Sequence, residues 1–266
     1  MAPYNFDAPD TDVILCSSDG KEFHVHHIIS LASPVFQGMF SLPSQPTEPP
    51  PSQIPTVDVP ERSVILQPFL QYLYPQSPPK ISDLTMWEAL YTIADKYSAE
   101  VVMESLRNLL MYPFLEMSPL RVYALASHWG FEELAKIAST RTLKINIFTD
   151  LPREDASLMG GAACQQLYLL HFNRRKSAAD VVVNHPGPLP SGSSCKCEPP
   201  DYSGLVPALC EIVATRPWLT VEEVYETAGN YHYPWICGRE CRNALGNVRA
   251  YLASILRDIS RLPQTI

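Results

Sequence analysis

The chain opens on an alternation of apolar and polar positions. Asp12-Val13-Ile14-Leu15-Cys16-Ser17 and Glu22-Phe23-His24-Val25-His26 flank Ser18-Asp19-Gly20-Lys21, which predicts a β-hairpin with Gly20 where a positive φ is easiest. After His26 the period lengthens. Ile28, Leu31, Ala32, Val35, Phe36 and Met39 recur at three- and four-residue intervals, a helical pattern in which Pro34 must start a new helix at its first turn. Thr56-Val57-Asp58-Val59 alternates again and predicts a short returning strand. From about Arg62 onward the pattern is helix after helix, over residues 64–74, 84–97, 101–110, 120–129 and 132–145. Strands first and stacked helices afterwards predict an α+β domain with a helical tail.

The last quarter is helical too. Val206, Leu209, Cys210 and Val213 make one apolar face, and Thr220-Val221-Glu222-Glu223 has the form of a capping box. Cys241, Leu245, Val248, Leu252, Ile255, Ile259 and Leu262 then run at alternating four and three residues. They predict one long amphipathic helix, ended by Pro263, whose stripe packs on the rest of its module, the alternative being a partner-binding or self-associating seam. Prolines mark the joints, at 43–55, at 75–79, and with serine and glycine at 184–200, where the main linker is placed.

Composition narrows the class. A chain of 266 residues with 46% hydrophobic content can bury a sizeable core, so a disordered or fibrous protein is excluded. The opening residues have neither a basic nor an apolar signal region, and no apolar run reaches membrane-spanning length. The expectation is a soluble protein of the cytoplasm or nucleus, with its seven cysteines reduced. The net charge of -8 lies wholly in residues 1–150, which hold nine Lys and Arg against 17 Asp and Glu. An acidic surface without a basic stripe argues against direct nucleic-acid binding. Arg174-Arg175-Lys176 is the one basic cluster and reads as a solvated helix end.

Several segments together resemble a known family. Asp12-Val13-Ile14-Leu15, Asp19-Gly20, Phe23-His24-Val25-His26, Leu31-Ala32-Ser33-Pro34-Val35-Phe36 and Met39-Phe40 look like the opening of a BTB/POZ domain, of the type common in fungi. Val57-Asp58-Val59-Pro60-Glu61, Leu70-Gln71-Tyr72-Leu73-Tyr74-Pro75 and Ala94-Asp95-Lys96-Tyr97 are similar to its next strand and helices. Pro119-Leu120-Arg121-Val122-Tyr123-Ala124-Leu125-Ala126 with Gly130-Phe131-Glu132 resembles the helical extension that follows. The resemblance implies a BTB/POZ-like domain over 1–115 and a helical extension over 116–183. A Pro/Ser-rich linker over 184–202 and a small helical module over 203–266 complete the chain. It implies a helical cluster with a small mixed sheet that works as an adaptor or scaffold, binding other proteins or itself, with a cullin scaffold of a ubiquitin ligase as one partner. Three departures qualify this. One residue fewer separates His26 from Ser33 than in the family pattern, which rotates a helix face by ~100°. Only about ten residues precede Asp12, too few for the extra helix that long-form members exchange between subunits. The segment after Met39-Phe40 lacks the hydrophobic-x-Glu motif of cullin binders, its nearest acid being Glu48.

Candidate chemistry is sparse. Asp12 and His27 match a partly buried acid and base of the family and read as fold-satisfying polar residues. His24, His26 and His27 have metal-like spacing but no Cys or acidic partner nearby in sequence, so the family match is preferred. Cys195-Lys196-Cys197 and Cys237-Gly238-Arg239-Glu240-Cys241 are two short cysteine pairs, able to hold a structural zinc as a tetrathiolate, to remain unpaired thiols or to act as a redox pair. Cys16, Cys164 and Cys210 read as small core residues. No nucleophile elbow, phosphate loop, dinucleotide fingerprint or H-E-x-x-H is present. Gly160-Gly161 before a helix is weak support for an anion site, and His128, His171, His185 and His232 stand isolated. The chain reads as a non-enzyme, the alternative being a zinc or thiol site around Cys237 and His232.

Overall fold

The computed structural model describes residues 6, 10–41, 54–74, 77–186, 204–215, 217–229 and 239–266, with the backbone alone at 225, 227–229 and 239–248. It divides into two compact units, Met1–Phe114 and Leu115–Ile266.

In the first unit the predicted hairpin forms from β1 (Val13–Cys16) and β2 (Glu22–Val25), antiparallel with Val13 opposite Val25. Gly20 takes a φ of 79° in the turn. There the Ser17 hydroxyl donates to the Lys21 carbonyl (2.9 Å) and accepts from the Lys21 amide (3.0 Å). The third strand, β3 (Thr56–Asp58), lies parallel to β1 with Leu15 opposite Val57, giving a mixed sheet of order β2-β1-β3. Val13, Leu15, Phe23 and Val25 alternate inward as the period of two requires and are buried.

Between His26 and Ser33 the expected α-helix is replaced by a tighter 3-10 helix, His27–Ala32. Both ends of this segment are fixed: the His26 amide donates to the Tyr74 hydroxyl (2.8 Å), and the Ser33 hydroxyl donates to the Tyr97 carbonyl (2.6 Å). A 3-10 helix rises ~2.0 Å per residue against ~1.5 Å in an α-helix, so fewer residues span the same gap. The change also turns the side chains. Ile29 is the buried one, whereas Ile28 and Leu31, which the pattern assigns to the core, point to solvent.

Ser33 caps the next helix, α1 (Pro34–Ser41), by accepting from the Phe36 amide (3.1 Å), with Pro34 at its first position as predicted. Then follow α2 (Ser63–Leu73), α3 (Leu84–Lys96) and α4 (Glu100–Leu109). Asp83 caps α3 by accepting from the Met86 amide. The cap of α2 comes from the hairpin turn: Asp19 accepts from the Ser63 amide (2.8 Å) and hydroxyl (2.7 Å). These bonds hold its carboxyl well below the usual carboxylate range. Trp87 is fully buried, stacks on Tyr91 and donates to the Leu106 carbonyl (2.7 Å), joining α3 to α4. Phe36 stacks on Tyr97 at 4.6 Å and meets Phe69. Each such side chain contributes ~1.5–3 kcal/mol by leaving water.

The second unit is helical where it is described: α5 (Leu115–Met117), α6 (Pro119–His128), α7 (Glu132–Thr142), α8 (Ile147–Asp150), α9 (Arg153–Asn184), α10 (Leu205–Thr215), α11 (Val221–Gly229) and α12 (Arg239–Ser260). Five successive residues from Val122 through Ala126, with Leu120 two before them, leave α6 buried on most sides between α7 and α9. Arg121 pairs with the buried Asp155 (2.8 Å), and the Tyr123 hydroxyl donates to the Ala163 carbonyl (2.9 Å). The long run α9 kinks at Gly160, whose φ of 76° only glycine adopts without strain. Ala178 and Val182 share one core with Leu209, Val213, Leu252 and Ile255, so the end of α9 packs with helices that follow residue 204. Thr220 and Glu223 exchange the two bonds of the capping box (2.9 and 3.2 Å), and the α12 stripe is buried from Tyr251 to Ile259.

Candidate interaction surface

Among the described residues the sequence candidates are distributed and not gathered. Asp12 and His27 do meet, but through the main chain: Asp12 Oδ1 accepts from the His27 amide (2.6 Å) at the start of the 3-10 helix. Both residues are exposed, which corrects the expected partly buried pocket. The His27 imidazole lies instead against the Phe40 ring, at 5.1 Å. His26 accepts at Nδ1 from the Tyr74 hydroxyl (3.1 Å) in the tautomer that points Nε2 at Asp10 Oδ1 (3.4 Å). Among the described residues no three His, Cys, Asp or Glu form a group able to hold a metal. Cys195, Cys197, Cys237 and His232 lie outside the described residues, as does the side chain of Cys241. Cys16, Cys164 and Cys210 are free and half-buried, and burial pushes the Cys16 and Cys210 thiols up, away from reactivity.

What the first unit presents is an apolar corner rimmed by acid. Leu31 is 83% exposed and Ile28 60%. Residues three apart eclipse in a 3-10 helix, so these two share one face. Asp12 stands at the start of that helix and Asp10 beside His26, just before it. The acidity extends over the unit: residues 1–114 hold five Lys and Arg against thirteen Asp and Glu, and residues 115–266 hold fifteen of each.

The second unit puts charge inside. Arg174 and Arg175, which the sequence reading places at a solvated helix end, lie within α9, and Arg174 is 2% exposed. Its guanidinium donates to the carbonyls of Pro217 (3.0 Å), Ile259 (3.0 Å), Leu262 (2.7 Å) and Pro263 (2.7 Å). It thereby caps the end of α12, where carbonyls have no helical donors and the dipole favours a cation. Burial lowers its pKa from the ordinary arginine value. Arg175 lies over the Phe148 ring at 4.0 Å and donates to Asn146 Oδ1 (2.7 Å) and the Thr215 carbonyl. His171, one turn earlier, is fully buried and bonded to Thr142 Oγ1 (3.0 Å). Burial, with Arg175 and Arg174 nearby, lowers its pKa to about 4. No sequence motif marks these partners, because the acceptors are main-chain carbonyls up to 89 residues away. A groove of about 350 Å³ runs along α9 past Leu169, Leu170, Asn173 and Pro263, largely apolar in its lining.

Residues 6–112 match the family model of the BTB/POZ domain, which covers less than half of the chain. No curated protein matches. The small mixed sheet and helical cluster of the first unit are thus a BTB/POZ domain, and its opening motifs were the ones that carried the resemblance. No helix among the described residues is long and apolar enough to cross a membrane.

Proposed function

We propose that this protein, with a BTB/POZ domain in residues 6–112, is a non-enzymatic adaptor or scaffold that docks other proteins through its first unit. The observation that carries the reading is the outward pair Ile28 and Leu31. Two large apolar side chains held on a fixed turn contribute little to the fold from that position and lower the cost of desolvating a partner. Affinity capture of the full chain from its own cells, beside an Ile28→Ser/Leu31→Ser variant, tests it. Proteins retained by the wild type and released by the variant are the expected result, and identical captured sets would overturn the reading. Service as substrate adaptor of a cullin-based ubiquitin ligase is its narrower form; failure to co-purify with a cullin where a known adaptor does so retires that form.

The paired cysteines support a separate proposal, a structural zinc held by Cys195, Cys197, Cys237 and Cys241, on the chemistry of their spacing. Metal analysis of the wild type beside a Cys197→Ser/Cys241→Ser variant tests it, with less than about half an equivalent in the wild type counting against it.

A further inference from the structure

We infer that the partner for the corner formed by Asp10, Asp12, Ile28 and Leu31 is a basic amphipathic segment of another protein and not a second copy of this chain; the inference rests on the docking role proposed above. His26, His27 and Ile28 are consecutive, and the first two engage Asp10 (3.4 Å) and Asp12 (2.6 Å). Asp12 Oδ2 has no partner among the described residues, and the Asp10 side chain is 78% exposed. The corner therefore offers apolar area and two carboxylates together.

A two-fold dimer through this face would set each residue near its axis against its own copy, because such interfaces are isologous. Asp10 and Asp12 would face Asp10 and Asp12, on units that each carry an excess of eight acidic groups, thirteen against five. Like charges brought together while water is excluded oppose association. A helix with Leu or Phe on one side and Lys or Arg at its flanks meets both features: its apolar stripe covers Ile28 and Leu31, and its cations reach the carboxylates. Long-range attraction from the same acidic unit speeds the encounter and makes it salt-dependent.

Fluorescence anisotropy with the full chain tests this, using a labelled 14-residue Leu/Lys amphipathic peptide and its Leu/Glu counterpart as probes. The Leu/Lys peptide is expected to bind at least about tenfold more tightly than the Leu/Glu peptide. Ile28→Ser/Leu31→Ser should weaken it by about tenfold, and Asp10→Asn by about threefold. All three residues are exposed, so far-UV circular dichroism should show the variants folded. Equal binding of both peptides, or an affinity unmoved by the double substitution, overturns the inference. A wild-type dimer in sedimentation equilibrium that the double variant dissolves overturns it too, while leaving the docking role standing; identical captured proteins in the cellular experiment remove the docking role itself.

Discussion

The two units solve the same problem, fixing helix ends, with opposite placements of charge. In the BTB/POZ unit the fixing groups are carboxylates near water: Asp19 holds the start of α2 and Asp12 the start of the 3-10 helix. In the second unit the fixing group is the buried Arg174, which holds the end of α12 from inside α9. A surface cap shares its work with solvent. A buried guanidinium does not, so the second unit depends on single residues far more steeply.

Replacing Arg174 is the largest expected break in that comparison. Arg174→Met keeps much of the stem but strips donors from four carbonyls, and should cost about 4 kcal/mol in urea unfolding. Amide exchange should accelerate across residues 249–260 of α12 and stay unchanged in α3. Arg174→Lys should recover only part, since one ammonium cannot reproduce the planar fork.

Acid sharpens the contrast next. His171 has a folded pKa of about 4 against an ordinary 6.5, so the fold prefers its neutral form. Its contribution is present above pH 6.5 and is lost as pH falls from there toward 4, by about 3 kcal/mol at most. Asp19 runs at lower pH: its depressed carboxyl stabilises above the ordinary carboxylate range and fails only as pH drops below it. On acidification the second unit should therefore soften before the first. Subtracting a His171→Leu titration, followed by circular dichroism, from the wild-type curve isolates the histidine component.

A smaller effect belongs to a cap that lies in the second unit yet works as those of the first do. Thr220→Ala removes one half of the Thr220–Glu223 exchange and should cost about 1 kcal/mol by thermal unfolding. That cap was legible in four consecutive letters, and the hairpin, Gly20, Pro34 at a helix start and the helices α2, α3, α4, α6 and α7 were legible too. All rest on local chemistry or on a period that the chain displays by itself. Arg174 was not legible, because its acceptors are backbone carbonyls distant in sequence and any residue type supplies those. The outward turn of Ile28 and Leu31 was hidden for a related reason. A three- and four-residue apolar spacing specifies a face only if the helix is α, and the anchors at His26 and Ser33, set by Tyr74 and Tyr97, impose the tighter winding.

The smallest expected effect is the most informative about function. Leu31→Ser should leave stability within about 0.5 kcal/mol, because a side chain already 83% exposed gives up almost no burial on truncation. Ile29→Ala, two residues before it, should instead open a cavity and destabilise the unit markedly, since Ile29 is completely enclosed. If Leu31→Ser proved as costly as Ile29→Ala in denaturant titrations, Leu31 would be packing into the fold, and its role as a docking side chain would fail. A neutral Leu31→Ser that loses binding leaves partner contact as the physical reason for an apolar side chain at that corner.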